Sequence, residues 1–165
     1  MIDGLDKKLI ALLARQGRIS TAEVAKRTGV SRATASSRIK SLIDDGVLKT
    51  AGLVDAATAG ELTTAFVGLK LDEFRLEETV GRVAQLDEVA WAAVVTGRYD
   101  ILAEVVTDRG MAGLYDFLNT SLMGVGGVAS SEMFVVMKAS DKWSVLPEGL
   151  ARRWAAEAVS SFAAD

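Results

Sequence analysis

The side chains best suited to chemistry are cations and hydroxyls set close together. Ser31, Arg32, Thr34, Ser36, Ser37, Arg38 and Lys40 fall within ten residues. If that stretch is helical, Ala35, Ile39, Leu42 and Ile43 take the inward side at 100° per residue, and Arg32, Ala33, Ser36, Ser37 and Lys40 take the outward one. The outward face is small and polar, with a cation at each end. Arginine at a helix N-terminus can pair bidentately with guanine, and small residues let a helix approach base edges. Lysines neutralise phosphate and add affinity without sequence information. Arg38 lies at the edge of the buried stripe, where it either reaches a phosphate or braces the domain. Other chemistry is scarce. The 165 residues include no histidine and no cysteine, so the commonest metal ligand, the commonest neutral-pH acid–base group and every disulfide are excluded. No carboxylate pair has the spacing of an acid–base couple. No catalytic residue, metal or cofactor is assigned, and no enzymatic role is expected.

Positioning that outward face requires a three-helix unit. Leu5, Leu9, Leu12 and Leu13 recur at helical spacing and predict a helix over Leu5–Arg15, with Asp3 and Asp6 at its positive end and Gly17 after it. Ser20 and Glu23 have the spacing of a capping box for a second helix, Thr21–Thr28. Gly29 breaks it. Ser31 then caps a third helix from Arg32 to about Asp45, and Gly46 stops it. Val47–Val54 has the pattern of a short strand pair, or wing. Helix, helix, glycine-containing turn, helix is the layout of a helix-turn-helix, whose last helix enters the DNA major groove. Charge agrees. Residues 1–50 carry ten Lys/Arg against five Asp/Glu, whereas residues 51–165 carry nine against seventeen. A basic block on an acidic remainder fits one part that meets phosphate and another that does not. The candidate DNA-reading set is Arg18, Ser31, Arg32, Ala33, Thr34, Ser36, Ser37, Arg38, Lys40 and Lys49.

The period changes after a small polar stretch, residues 55–61. Leu62–Leu71 alternates as a strand, Phe74–Leu86 is helical, and Val89–Val95 and Ile101–Val106 form a hairpin around Gly97–Asp100. A helix over Met111–Leu122, a glycine-rich turn and a strand over Val128–Met137 complete a β-α-β-β-α-β order. The fold expected is α+β: an N-terminal winged helix-turn-helix and a C-terminal ferredoxin-like domain with an extra C-terminal helix. The boundaries read as 1–54, a linker over 55–61, the ferredoxin-like domain over 62–140 and the extension over 141–165. In that extension Leu146, Leu150, Trp154, Ala158 and Phe162 form a stripe that packs either on its own domain or across a subunit interface. Glu104 reads as an edge charge. No apolar run approaches a membrane span, and the N-terminus lacks the basic and apolar regions of a secretory signal. A cytoplasmic, nucleoid-associated protein is expected.

Leu5–Leu48 resembles the N-terminal domain of the Lrp/AsnC, or feast/famine, regulators. The residues that carry the likeness are Asp6, Gly17-Arg18-Ile19-Ser20, Ala25, Gly29-Val30-Ser31, Arg38, Leu42 and Gly46-Val47. Val95-Thr96-Gly97-Arg98-Tyr99-Asp100 resembles that family's glycine–aromatic–aspartate turn, and Gly127-Val128 leads into the last strand as it does there. The resemblance covers about residues 3–138. It implies a transcriptional regulator that dimerises through its second domain, often assembles further, and binds a pseudo-palindromic operator. It also implies a small effector, usually an amino acid, held by Thr96, Gly97, Arg98, Tyr99 and Asp100 with Ser131 and Met133 of the last strand. The sequence departs from the family at Arg98, often acidic there, and at Met133, often threonine. A nucleoid-type architectural protein without an effector is the alternative.

Overall fold

A computed structural model describes residues 2–72, 75–140 and 142–162, which fall into two compact units divided between Gly52 and Leu53. The first unit contains α1 (Gly4–Arg15), α2 (Thr21–Thr28) and α3 (Arg32–Asp44). Each begins at a side-chain cap. Asp3 accepts from the amides of Leu5 and Asp6 while the Asp6 carboxylate accepts from the amide of Asp3, closing a full capping box. Ser20 accepts from the amide of Glu23 at 3.2 Å, but the Glu23 carboxylate turns to Arg27 instead. Ser31 accepts from the amide of Thr34 at 3.0 Å. Between α2 and α3 the chain reverses at Gly29, whose φ of 74° is a left-handed conformation that a side chain would strain. The three helices close over Leu9, Val24, Ala25, Ala35 and Leu42, with Ile39 and Leu48 packed against them. Each such burial stabilises by roughly 1.5–3 kcal/mol for a Val or Leu.

Two expectations for this unit change. Ile43 lies about 80° round from Ala35, at the flank of the stripe rather than inside it, and is 46% exposed. The wing's expected strand pair over Val47–Val54 does not form. The amides of Val47 and Leu48 both donate to the carbonyl of Leu42, at 2.9 Å each, so the chain folds back to end α3. Only Val54 enters a strand.

In the second unit β1 (Val54–Asp55) pairs antiparallel with β6 (Trp143–Ser144). The expected linker over 55–61 therefore begins in that ribbon and continues as a short helix, α4 (Ala56–Ala59), whose Thr58 is bonded to the Asp55 carboxylate. The rest is β2 (Thr63–Leu71), α5 (Leu76–Ala84), β3 (Val89–Val94), β4 (Ile101–Thr107), α6 (Gly110–Asp116), β5 (Val128–Val135) and α7 (Glu148–Phe162). Helix α6 runs on through a π-helical turn over Phe117–Leu122 and a 3₁₀ turn over Met123–Val125. Phe74, expected to open α5, lies outside the described residues. The four-stranded sheet has the order β3-β4-β2-β5 and is antiparallel throughout, which is the ferredoxin-like arrangement. Alternation sorts each strand. Ala65, Val67, Leu69, Ile101, Ala103 and Val105 join Val83, Leu114 and Phe117 in one core, under the helices. Thr64, Phe66, Gly68, Leu102 and Glu104 take the other face.

The C-terminal extension packs on its own domain. Leu150 is fully buried, Trp154 and Arg153 both donate to Asp108, and Arg152 pairs with Asp87 at 2.6 Å. The side chains of Ala158 and Phe162 lie outside the described residues. Among the described residues no helix is long and apolar enough to cross a membrane.

Candidate functional site

The outward face of α3 is open where the sequence places it. Arg32, Ala33, Thr34, Ser36, Ser37 and Lys40 are all exposed, while Ala35 is fully buried beneath them. Ser31 and Thr34 share a hydroxyl–hydroxyl bond of 2.8 Å at the helix start, so both are fixed in place. Lys40 leans on Asp44 at 2.6 Å, but both side chains are well exposed, so the pair is weak and can open to phosphate. Among the described residues Arg18, Arg32 and Lys49 have no side-chain partner. Arg38 braces the unit, with its side chain half-exposed. Its guanidinium lies 2.9 Å from the Asp3 carboxylate and 3.4 Å from that of Asp6, tying α3 to the capping box of α1. The cause is burial at α1: Asp6 is only 5% exposed and keeps a cation beside it. Asp3 is held below the usual carboxylate range by the Asp6 amide, with Arg38 and the Leu5 amide adding to that effect against burial.

The expected effector turn leaves β3 and enters β4. The amide of Val95 donates to the carbonyl of Asp100 at 2.9 Å, and Gly97 with φ 129° occupies the tip. Thr96, Gly97 and Arg98 are exposed. Asp100 works inward: it pairs with Lys70 at 2.8 Å and accepts from the amide of Leu71 at 3.0 Å. Lys70 and then the Leu71 amide hold its carboxyl below the usual range. The Tyr99 ring lies flat over Gly68, where a Cβ would come within 2.6 Å of it, and meets Phe134 edge-on at 6.5 Å. Among the described residues its buried hydroxyl has no hydrogen-bond partner. Arg98 stacks 5.5 Å above that ring and pairs with Glu132 at 3.2 Å. Together Lys70, Arg98, Tyr99, Ser130, Ser131 and Glu132 line an open cleft of about 380 Å³.

Two expectations for the sheet fail here. Met133 faces away from the cleft. It pairs with Val67 and packs against the core, because side chains one residue apart take opposite faces of a strand. Glu132 takes the cleft side. Glu104 is no edge charge, since it stands on an inner strand and is 2% exposed. Its carboxylate accepts from Trp91 at 2.7 Å, Lys142 at 2.8 Å and Ser144 at 2.8 Å. Burial pushes its carboxyl up, but these three donors outweigh burial and hold it below the usual range.

Residues 64–143 match the family model of the Lrp/AsnC ligand binding domain, and residues 2–49 that of winged helix-turn-helix DNA-binding. An uncharacterized HTH-type transcriptional regulator of Pyrococcus abyssi is 30% identical over 143 residues, 86% of this chain and 89% of that one. The chain belongs to the Lrp/AsnC family. Regulatory protein AsnC of Haemophilus influenzae is 30% identical over 139 residues, 83% of this chain and 92% of that one. Among solved structures, E. coli AsnC has a TM-score of 0.64 at 27% identity, covering 86% of this chain and 96% of that one. The fold is also that of a transcriptional regulator–L-Met complex from Neisseria meningitidis, with a TM-score of 0.68 at 23% identity over 89% of this chain and 97% of that one. This Lrp/AsnC protein is thus a helix-turn-helix transcriptional regulator with a ligand-binding domain.

Sequence reasoning missed Lys70, Ser130 and Glu132 of the cleft in this Lrp/AsnC domain. Ser130 and Glu132 were legible only with the register of β5, and the run Glu132-Met133-Phe134-Val135 does not alternate clearly enough to fix it. Lys70 reaches Asp100 across thirty residues of chain, which no local pattern reveals. Among the described residues no group of three or more His, Cys, Asp or Glu side chains could hold a metal.

Proposed function

We propose that this Lrp/AsnC regulator binds a pseudo-palindromic operator as a homodimer and responds to a small effector, an amino acid or related metabolite. The observation that carries the DNA reading is the exposed face of α3, with Arg32, which has no side-chain partner among the described residues, at its N-terminal end. Arg32, Ala33, Thr34, Ser36 and Ser37 face base edges; Arg18, Lys40 and Lys49 meet phosphate; Ser31 caps the helix and Arg38 braces it. A two-fold dimer presents two such helices to successive major grooves. The exposed aromatic side chains Trp91 and Phe134, on the sheet face away from the helices, support self-association through this domain.

The cleft beside Gly97–Asp100 suits a zwitterion. Arg98 and Glu132 are a cation and an anion paired at an exposed site, with Arg98 also over the Tyr99 ring. A ligand carboxylate can take Arg98 and a ligand amine Glu132, with the Ser130 hydroxyl on the same face of β5; Ser131 pairs with core Leu69, so its side chain takes the opposite face, as Met133 does. Thr96 and Gly97 add open backbone at the tip. The L-Met complex of the Neisseria regulator supports the same ligand class. The chain acts as a cytoplasmic regulator and not as an enzyme.

The test has two arms on the full chain. Competition between a selected duplex and random DNA should favour the selected one by about 10³-fold or more, with affinity falling steeply as salt rises. Equal binding to both would mean an architectural protein. A thermal-shift screen of the amino acids and related metabolites should find one that stabilises the chain. At 100 times its Kd a ligand adds about 2.7 kcal/mol. Failure of every compound to shift the transition would remove the effector from the account.

A further inference from the structure

The ribbon β1–β6 is fastened to the sheet through Glu104. Lys142 and Ser144 of the C-terminal segment both donate to the same oxygen of Glu104, at 2.8 Å each, and Lys142 also donates to Ser144 at 2.9 Å. The second carboxylate oxygen is taken by the Trp91 indole. Glu104 stands in a row that crosses the whole sheet, with Trp91 of β3 on one side and Phe66 of β2 on the other. Lys142 lies over the Phe66 ring at 5.8 Å. A buried carboxylate with an ammonium and two further donors on it is costly to open, because any partner removed leaves a charge desolvated.

The ribbon holds more than the tail. Ser144 pairs with Val54, the second residue after the end of the DNA-binding unit. Glu104 lies on β4, four residues past the effector turn at Asp100. Through β6, this carboxylate therefore links the strand that follows the Gly97–Asp100 turn to β1, the strand that follows the DNA-binding unit.

We infer that Glu104 is a positioning residue: with Lys142 and Ser144 it forms a clasp that fixes the chain's exit from the DNA-binding unit to the ligand-domain sheet. The consequence rests on the dimeric, two-half-site reading above. A fixed exit limits the placements open to each recognition helix, so the second half-site is bound at a high effective concentration. A loosened exit lowers that concentration and leaves a single half-site bound as before.

The full chain with Lys142→Met is the test, with Ser144→Ala as the milder second variant. The DNA probes are a two-fold-symmetric duplex selected by the wild-type chain from a random pool and the same duplex with one half scrambled. Amide hydrogen exchange at Val54 and Ser144 should rise tenfold or more in Lys142→Met while the β2–β4 ladder keeps its protection. The preference for the two-half duplex should fall several-fold with half-site affinity unchanged. Ser144→Ala should shift both in the same direction by less, and Lys142→Arg should restore them. Unchanged exchange, or raised exchange with the two-half preference intact, would overturn the clasp. A wild-type chain with no two-half preference would instead sink the dimeric reading, and the positioning role with it.

Discussion

Gly68→Ala is the sharpest perturbation of the Gly97–Asp100 turn. Gly68 sits in β2 without a positive φ, so alanine costs nothing in backbone strain, and leaving glycine should stabilise a strand by roughly 0.5–1 kcal/mol. Against this, an added Cβ would stand 2.6, 2.6 and 2.8 Å from three carbons of the Tyr99 ring. Ordinary contact begins near 3.4 Å, so the ring must lift by nearly an ångström. The lift is resisted by Phe134 at its edge and by the turn that Asp100 pins to Lys70 and Leu71. Overpacking of this kind costs about 1–3 kcal/mol. The net expectation is a loss of about 1–2 kcal/mol in urea unfolding at constant slope, with weaker amino-acid binding because Tyr99 and Arg98 move together. The control is the same change in a Tyr99→Leu background, where a smaller, flexible side chain can yield. There Gly68→Ala should be neutral or stabilising. Equal effects in the two backgrounds would show that the ring does not press on Gly68, and the account of the turn would be wrong.

Other changes separate the roles assigned to the cations. Arg32→Ala should cost about 1–3 kcal/mol of specific DNA affinity and relax one operator position, whereas Lys49→Ala should weaken all sequences alike and lower the salt slope by about 1; anisotropy titrations read both. Arg38→Ala should leave that slope unchanged and instead lower the stability of the DNA-binding unit by about 1 kcal/mol, since its pairs are half-exposed. Acid unfolding should depend on Glu104. Its folded pKa lies below the ordinary glutamate value of 4.5, so its contribution is complete above that value and is lost as pH falls through the folded one. Glu104→Gln should flatten stability against pH across that window, as followed by thermal melts from neutral pH downward.

What the sequence disclosed follows from the range of the interactions. The helices of the first unit and the order of strands and helices in the second rest on local signals: caps at Ser20 and Ser31, the left-handed Gly29, and apolar spacing. The outward face of α3 could be read because burial of Ala35 and Leu42 fixes the helix's rotation. Long-range pairings could not be read. Strand β1 finds its partner at the far end of the chain, so Val47–Val54 looked like a wing while its amides were closing α3. Glu104 looked like a surface charge because its cation lies thirty-eight residues on. Met133 and Glu132 exchanged roles through a register of one residue. The choice at Arg38 turned on Asp6, whose burial no spacing announced.

An amino acid held at the Gly97–Asp100 turn should alter how the α3 face reads DNA. Nuclease footprinting of the DNA flanking the protein's own gene, at low salt and with each amino acid in turn, tests it most directly. Protection of two half-sites about one helical turn apart is expected, in a pattern that one amino acid strengthens or relieves, with Arg32→Ala weakening protection and Arg98→Ala abolishing only the response. Uniform protection along the fragment, or none, with or without amino acids, would contradict it.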